Sequence, residues 1–287
     1  MFFDHLELAP ADPILGLTDT FKADTNPNKI NLGVGVYQNE NAVTPVLKCV
    51  KEAEKILLET EQSKSYLPIS GLPEYGRFTR ELIFGKDSPL VDDGRAVTCH
   101  TPGGTGAIRI AADFLYQQHV TQRVWISDPT WGNHFQIVEA AGLKTERYPY
   151  YDRVNHSLAF ERMLDTLEQA SEGDAVILHG CCHNPTGIDP TPEQWDELAA
   201  FLAKKKLLPI VDFAYQGFGN GLEEDAYGLR KIVELNSEVI VCSSFSKNFG
   251  MYNERVGALT CVSANKEAGA KALSQIKLAI RCAISNP

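Results

Sequence analysis

The stretch AVILHGCCHNPTGIDPTPEQWDELAAFLAKKKLLPIVDFAYQGF, residues 175–218, decides the fold. It opens on a continuous apolar run, Ala175 to His179, and turns through Gly180, Pro185 and Gly187. It restarts at Thr191-Pro192-Glu193, where Thr is a favoured helix N-cap and Pro a favoured first helical residue, so a helix is expected over 192–206. A second apolar run, LPIVDF (208–213), follows at once. Runs that are apolar throughout belong to strands buried on both faces. Such strands alternating with helices give a mostly parallel sheet with helices on both sides, an α/β fold.

The same alternation extends outward. Short apolar runs at 96–99, 124–127, 239–244 and 258–262 are further strand candidates. Helical periodicity marks 46–61, 72–84, 105–119, 131–141, 158–170 and 265–283. In 46–61, Val46, Val50, Ala53, Ile56 and Leu57 form one apolar face, expected to pack inward. Residues 1–45 differ, being rich in Pro, Asn and Asp around one apolar segment, Ile30 to Tyr37. The expected division is therefore 1–45, an N-terminal arm with part of a small domain, and 46–287, a large domain.

In such sheets ligands sit beyond the carboxyl ends of the strands. After 96–99 comes Thr101-Pro-Gly-Gly-Thr-Gly-Ala107, opening a helix. Glycines admit close backbone approach and free N–H groups at a helix start bind anions, which suits a phosphate; a plain tight turn is the alternative. A dinucleotide site would want a third glycine where Arg109 stands. After 175–179, Cys181, Cys182 and His183 raise zinc, but no second Cys/His pair lies at ligand spacing. Asn184 before Pro185 is an amide held in a rigid turn. Asp212 ends a buried strand, where a carboxylate is costly unless a cation or a helix start meets it, and Tyr215 follows three residues on. Lys247, in Ser244-Phe-Ser-Lys247, is a candidate for a lowered pKa and a Schiff base, or a solvated lysine; Arg255 lies just beyond.

Composition narrows the class. The 287 residues are 44% apolar and 22% charged, ordinary for a globular protein, and carry a formal charge of -10. An acidic chain repels phosphate backbones, so nucleic acid is not an expected partner. No apolar run reaches membrane-spanning length, and the N-terminus lacks the basic flank of a leader. Seven scattered cysteines fit reduced thiols, and a cytoplasmic protein is expected.

Taken together, Asn184-Pro-Thr-Gly187, Asp212-x-x-Tyr215, Ser244-x-Ser-Lys247 and Arg255, in this order and spacing, resemble the fold-type I pyridoxal phosphate enzymes. More closely they resemble the class I aspartate and aromatic amino-acid aminotransferases. The likeness extends to Asn31-Leu-Gly-Val-Gly35-Val-Tyr37, Tyr66-Leu67, the 101–107 turn, Pro129-Thr-Trp131-Gly-Asn-His134 and Ser285-Asn-Pro287, essentially the whole chain.

The resemblance implies pyridoxal 5'-phosphate on Lys247, with amino acids and 2-oxo acids as substrates and a homodimer as the working form. It implies that Asp212 pairs with the pyridine N–H, supported by His134, and that Tyr215 and Asn184 bond the ring's 3-oxygen. Trp131 would stack on the ring. Gly104, Thr105, Ser244 and Arg255 would hold the phosphate, with Tyr66 reaching in from a second subunit. Lys247, Asp212 and Tyr215 would be catalytic; Gly35, Trp131, Asn184 and Arg281 would face the substrate, Arg281 across the dimer at its distal carboxylate. No metal is implied. Ile284 stands where the family usually has an aromatic residue. Family members also continue past Pro287 with most of a small domain and the arginine for the α-carboxylate, so residues 1–287 alone are expected to be inactive. The reaction implied is ping-pong transfer of an amino group from aspartate to 2-oxoglutarate. An aromatic amino-acid aminotransferase and a non-catalytic cofactor-binding protein are the alternatives.

Overall fold

The structure is a computed structural model that describes residues 1–8, 17–30, 33 and 35–286. Asn31, Leu32 and Val34 of the apolar segment, and Pro287, lie outside the described residues. The chain divides into two units, Met1–Pro45 and Val46–Pro287.

The first unit carries one short helix, α1 (Leu17–Ala23). Lys29 Nζ caps its C-terminal end, donating to the carbonyls of Phe21 at 2.7 Å and Asp24 at 2.6 Å. A basic group there meets carbonyls that have no partner inside the helix.

The second unit runs α2 (Lys48–Thr60), α3 (Pro73–Phe84), β1 (Ala96–Pro102), α4 (Gly103–Gln117), β2 (Arg123–Asp128), α5 (Asn133–Ala140) and β3 (Lys144–Pro149). A small hairpin, β4 (Tyr151–Asp152) with β5 (Ser157–Leu158), precedes α6 (Phe160–Leu167). Then come β6 (Ala175–His179), α7 (Pro192–Lys205), β7 (Leu208–Phe213), α8 (Tyr227–Leu235), β8 (Val239–Ser244), β9 (Val256–Val262) and α9 (Lys266–Ala283). Seven strands form one sheet in the order β1-β9-β8-β7-β6-β2-β3. β9 is antiparallel to both neighbours, and the other pairings are parallel, so β9 alone opposes six strands. This is the expected mostly parallel α/β sheet.

Alternation along each strand builds two cores. Val176, Leu178, Val211, Phe213 and Val241 pack against α6, α7 and α8. Ile177, Ile210, Ile240 and Cys242 pack against α4, α5 and α9. Helix α7 starts on the expected residues: Thr191 Oγ1 accepts from Gln194 N at 3.3 Å, and Gln194 Oε1 accepts from Thr191 N at 3.0 Å.

Several elements depart from the sequence expectations, among them α1 and the β4–β5 hairpin, which the sequence reading does not anticipate. Helix α2 forms, but none of its residues is buried; Ile56 and Leu57 are 59% and 57% exposed. Its periodicity makes a helix, and among the described residues of this unit nothing buries its apolar face. Strand β3 escaped notice because KTERYP is an edge strand with a largely polar exposed face. Helix α8 is short and has no side-chain cap to announce it.

Candidate active site

The expected site residues from β1, β2, β6, β7 and β8 converge at the carboxyl ends of those strands. Asp212 is one residue from the end of β7, opposite His179 on β6 and Cys242 on β8. It shares the α4/α5 face with Ile210, while Val211 and Phe213 face the other core. Its Oδ2 accepts from Nε2 of His134, which is fully buried, at 3.0 Å.

That bond ends a longer chain. The backbone N–H of Asn184 donates to His179 Nδ1 (3.4 Å), so that nitrogen carries no proton and Nε2 does. His179 Nε2 donates to Thr130 Oγ1 at 2.9 Å. The single hydroxyl hydrogen of Thr130 then points to His134 Nδ1 at 2.9 Å, which leaves the His134 proton on Nε2, facing Asp212. Every donor runs toward the carboxylate. Burial alone would raise the pKa of Asp212, but the His134 hydrogen bond foremost, with the nearby His134, His179 and Lys247 side chains, outweighs it and holds the carboxyl below its usual range.

Lys247 follows β8 and places Nζ 4.7 Å from the centre of the Tyr215 ring. Burial, and secondarily the Arg255 cation, lowers its pKa; Asp212 opposes them. Burial and the Asp212 charge raise Tyr215, against a hydrogen bond from Asn184. Trp131 lies edge-on to His134 with ring centroids 5.3 Å apart. The peptide bonds before Pro129 and Pro185 are both cis.

An anion cradle lies beside these groups. No side chain caps the start of α4. Arg255 holds its guanidinium against Gly103, where an added Cβ would strike it, and Ser244 packs against Gly104, next to Thr105. Gly257 has no room for a Cβ because the Gly103 backbone fills that space, which draws the start of β9 onto the start of α4. Arg255 donates from Nη1 to Ser246 Oγ at 3.1 Å and has a left-handed backbone, φ +58°. For a non-glycine residue that conformation is strained and is held by its surroundings. A cation, hydroxyls and an uncapped helix start together make a cradle of the kind that suits an anion such as phosphate.

Tyr66 is 91% exposed in the loop after α2. Arg281 is exposed on the last turn of α9, bonded to Ser285. Gly35 is exposed in the first unit. The sequence reading assigned nothing to Thr130, His179 or Ser246; the signal for His179 was its place as the last residue of a buried strand.

The buried histidines predict a pH effect. Burial lowers the pKa of His179 to about 4 and that of His183 to about 2. An unfolded histidine titrates near 6.5, so below that pH the unfolded state takes up protons that the folded state refuses. Stability from His179 is therefore complete above pH 6.5 and is lost as pH falls toward 4, amounting to about 3 kcal/mol. Melting curves of the parent and His179→Gln between pH 7 and 4 are expected to converge on acidification. Parallel curves would refute the neutral, buried His179.

Residues 27–286 match the class I and II aminotransferases, and the chain belongs to that family. It is 57% identical over 285 residues to the aspartate aminotransferase of Escherichia coli (strain K12). It is 58% identical to that of Salmonella typhi, each match covering 99% of this chain and 72% of the relative. Among solved structures, an aromatic-amino-acid aminotransferase from Burkholderia pseudomallei covalently bound to pyridoxal phosphate matches with a TM-score of 0.97 at 46% identity, over 100% of this chain and 72% of that one. The aspartate aminotransferase from Saccharomyces cerevisiae cytoplasm matches at 0.94 and 38%, over 99% and 71%. The fold is thus that of the fold-type I aminotransferases. Among the described residues no helix is long and apolar enough to cross a membrane.

Proposed function

We propose that this protein is an aspartate aminotransferase, moving the amino group of aspartate to 2-oxoglutarate with pyridoxal phosphate as cofactor. The observation that carries the substrate is 57–58% identity, over nearly the whole chain, to two aspartate aminotransferases. The residues present fit the cofactor: a lysine, a carboxylate held anionic and a phosphate cradle share one set of strand ends. When bound, pyridoxal phosphate supplies an electron sink for charge developing at the substrate Cα.

The chain's own groups do the rest. Arg255, Ser244 and the amides of Gly104 and Thr105 bind the phosphate. Asp212 holds a proton on the ring nitrogen, and the chain Asn184–His179–Thr130–His134 orients it. Tyr215 and Asn184 would bond the 3-oxygen, and Trp131 would cover the ring. Lys247 would hold the cofactor, and its amine would take the proton from the substrate Cα; burial favours the neutral amine this needs. The family resemblance also assigns Gly35 to the substrate.

Dimerisation and a cytoplasmic location belong to this reading. The uncovered face of α2 supports a second copy, as does an apolar groove lined by Tyr75, Phe78, Leu82, Phe245, Phe249 and Met251. Exposed Tyr66 and Arg281 then complete the partner's site, Tyr66 at the phosphate and Arg281 at the substrate's distal carboxylate.

Aromatic substrates are the second reading, favoured by the Burkholderia pseudomallei structure. The test is Arg281→Leu in the full-length protein, assayed with aspartate and with phenylalanine. A guanidinium meets a carboxylate with two charge-assisted bonds of roughly 1.5–3 kcal/mol each, so kcat/KM for aspartate is expected to fall about a hundredfold or more while phenylalanine is largely spared. Equal losses would make Arg281 structural, and an unaltered parent preference for phenylalanine over aspartate would overturn the substrate assignment.

A further inference from the structure

Cys181 and Cys182 lie between the end of β6 and Asn184 and take no part in the chemistry above. Cys181 is 5% exposed and belongs to the core under α7 and α8; Cys182 is partly exposed and packs on the same core, as does Tyr215. Neighbouring residues in an extended chain point to opposite faces. Here both thiols meet one wall because Cys182 has a left-handed backbone, φ +49°. The Asp189 carboxylate holds that turn, accepting from Cys182 N at 2.6 Å and His183 N at 2.9 Å.

The two adjacent thiols influence each other: the Cys181 thiol lowers the pKa of Cys182 against its burial and the Asp189 and Asp225 charges, while the Cys182 thiol and burial raise Cys181. A partly exposed sulfur that favours the thiolate, with a second thiol against it, has the form of an attacking and resolving pair. The buried thiols of Cys99, Cys242 and Cys261 are raised by burial instead.

We propose that Cys181 and Cys182 are a redox modification site, converted by hydrogen peroxide to a vicinal disulfide and restored by a dithiol reductant. The Cys182 thiolate attacks one peroxide oxygen; the O–O bond breaks, hydroxide leaves and takes a proton to become water, and Cys182 becomes a sulfenic acid. Cys181 sulfur then attacks Cys182 sulfur, the S–S bond forms as the S–O bond breaks, and the hydroxyl departs as water with the Cys181 proton. Two thiols lose two hydrogens and two electrons, and peroxide is reduced to two waters.

Adjacent Cα atoms are about 3.8 Å apart across a trans peptide, closer than the roughly 4.4–6.8 Å of relaxed disulfides. The bond is therefore strained and easily reduced. Closing it twists the peptide two residues before Asn184, whose backbone feeds His179 and whose side chain bonds Tyr215. An effect on turnover rests on the aminotransferase reading; the disulfide does not.

The experiment uses the cofactor-loaded protein with exposed Cys49 and Cys282 replaced by Ser, so that only the internal thiols respond. After peroxide, denaturation and N-ethylmaleimide, the peptide holding Cys181 and Cys182 is expected to lack both labels and two hydrogens, and dithiothreitol to restore both labels. Cys181→Ser is expected to leave a sulfenic acid on Cys182 that dimedone traps, with no such adduct on Cys181 in Cys182→Ser. Both cysteines still labelled after peroxide, or Cys182 overoxidised with Cys181 free, overturns the site. Equal dimedone adducts in the two variants overturn the role given to Cys182. In the full-length protein, turnover is expected to fall about tenfold or more and to recover with dithiothreitol. A complete disulfide with unchanged turnover overturns the coupling to Asn184 and leaves the aminotransferase reading standing.

Discussion

In the full-length protein, Lys247→Ala is expected to fold, to bind pyridoxal phosphate only reversibly, and to lose at least about 10⁴-fold of the parent's turnover. Folding is expected to survive because the lysine is a burden on the folded state: burial and Arg255 both disfavour its charge. Its Nζ lies 4.7 Å from the centre of the Tyr215 ring. Alanine removes that contact and relieves the desolvation. Turnover depends on this amine twice, as the anchor that sets the cofactor's angle and as the base at the substrate Cα. Positioned bases contribute about 10²–10⁴-fold, and covalent anchoring adds to that. The decisive measurement is borohydride reduction followed by peptide mapping. In the parent the cofactor should be trapped on the peptide carrying Lys247, and in Lys247→Ala nowhere. A cofactor trapped on any other lysine in the parent would remove the assignment, whatever the activity shows.

How much of this could be read before folding follows from range. The β6–α7–β7 unit was legible because each signal is local: two uninterrupted apolar runs, and a Thr-Pro start whose partner, Gln194, is three residues away. Lys247, Asp212 and Arg255 were legible as a pattern of strand ends. Thr130 and His179 were not. They are 49 positions apart and meet only because β2 pairs with β6 in the register that sets Val124 opposite Ala175, which brings both strand ends together. No periodicity encodes that register. The apolar face of α2 shows the opposite failure. Val50, Ile56 and Leu57 announce a buried surface, yet what buries it is not within this unit. Periodicity reports that a face seeks cover, and not whose.

Asp212→Asn separates charge from shape. The amide has the volume of the carboxylate, and its oxygen still accepts from His134 Nε2, so the chain from Asn184 through Thr130 keeps its direction. What disappears is the negative charge, which His134, His179 and Lys247 hold below its usual protonation range despite burial. Breaking a buried charge pair by removing one partner costs about 3–5 kcal/mol, and here the partner is the protonated ring nitrogen of the proposed cofactor. Turnover is therefore expected to fall by about 10²–10⁴-fold. The variant should also lose an acid limb of stability. A carboxyl whose folded pKa is lowered stabilises fully above its ordinary value of 3.8, and that stability is lost as pH falls through the folded value. This window lies below the one set by His179, so Asp212→Asn and His179→Gln should flatten different parts of one stability profile. Turnover within about tenfold of the parent would mean that the ring proton is held by something other than Asp212. An unchanged acid limb would mean that the carboxylate carries no lowered pKa in the folded chain.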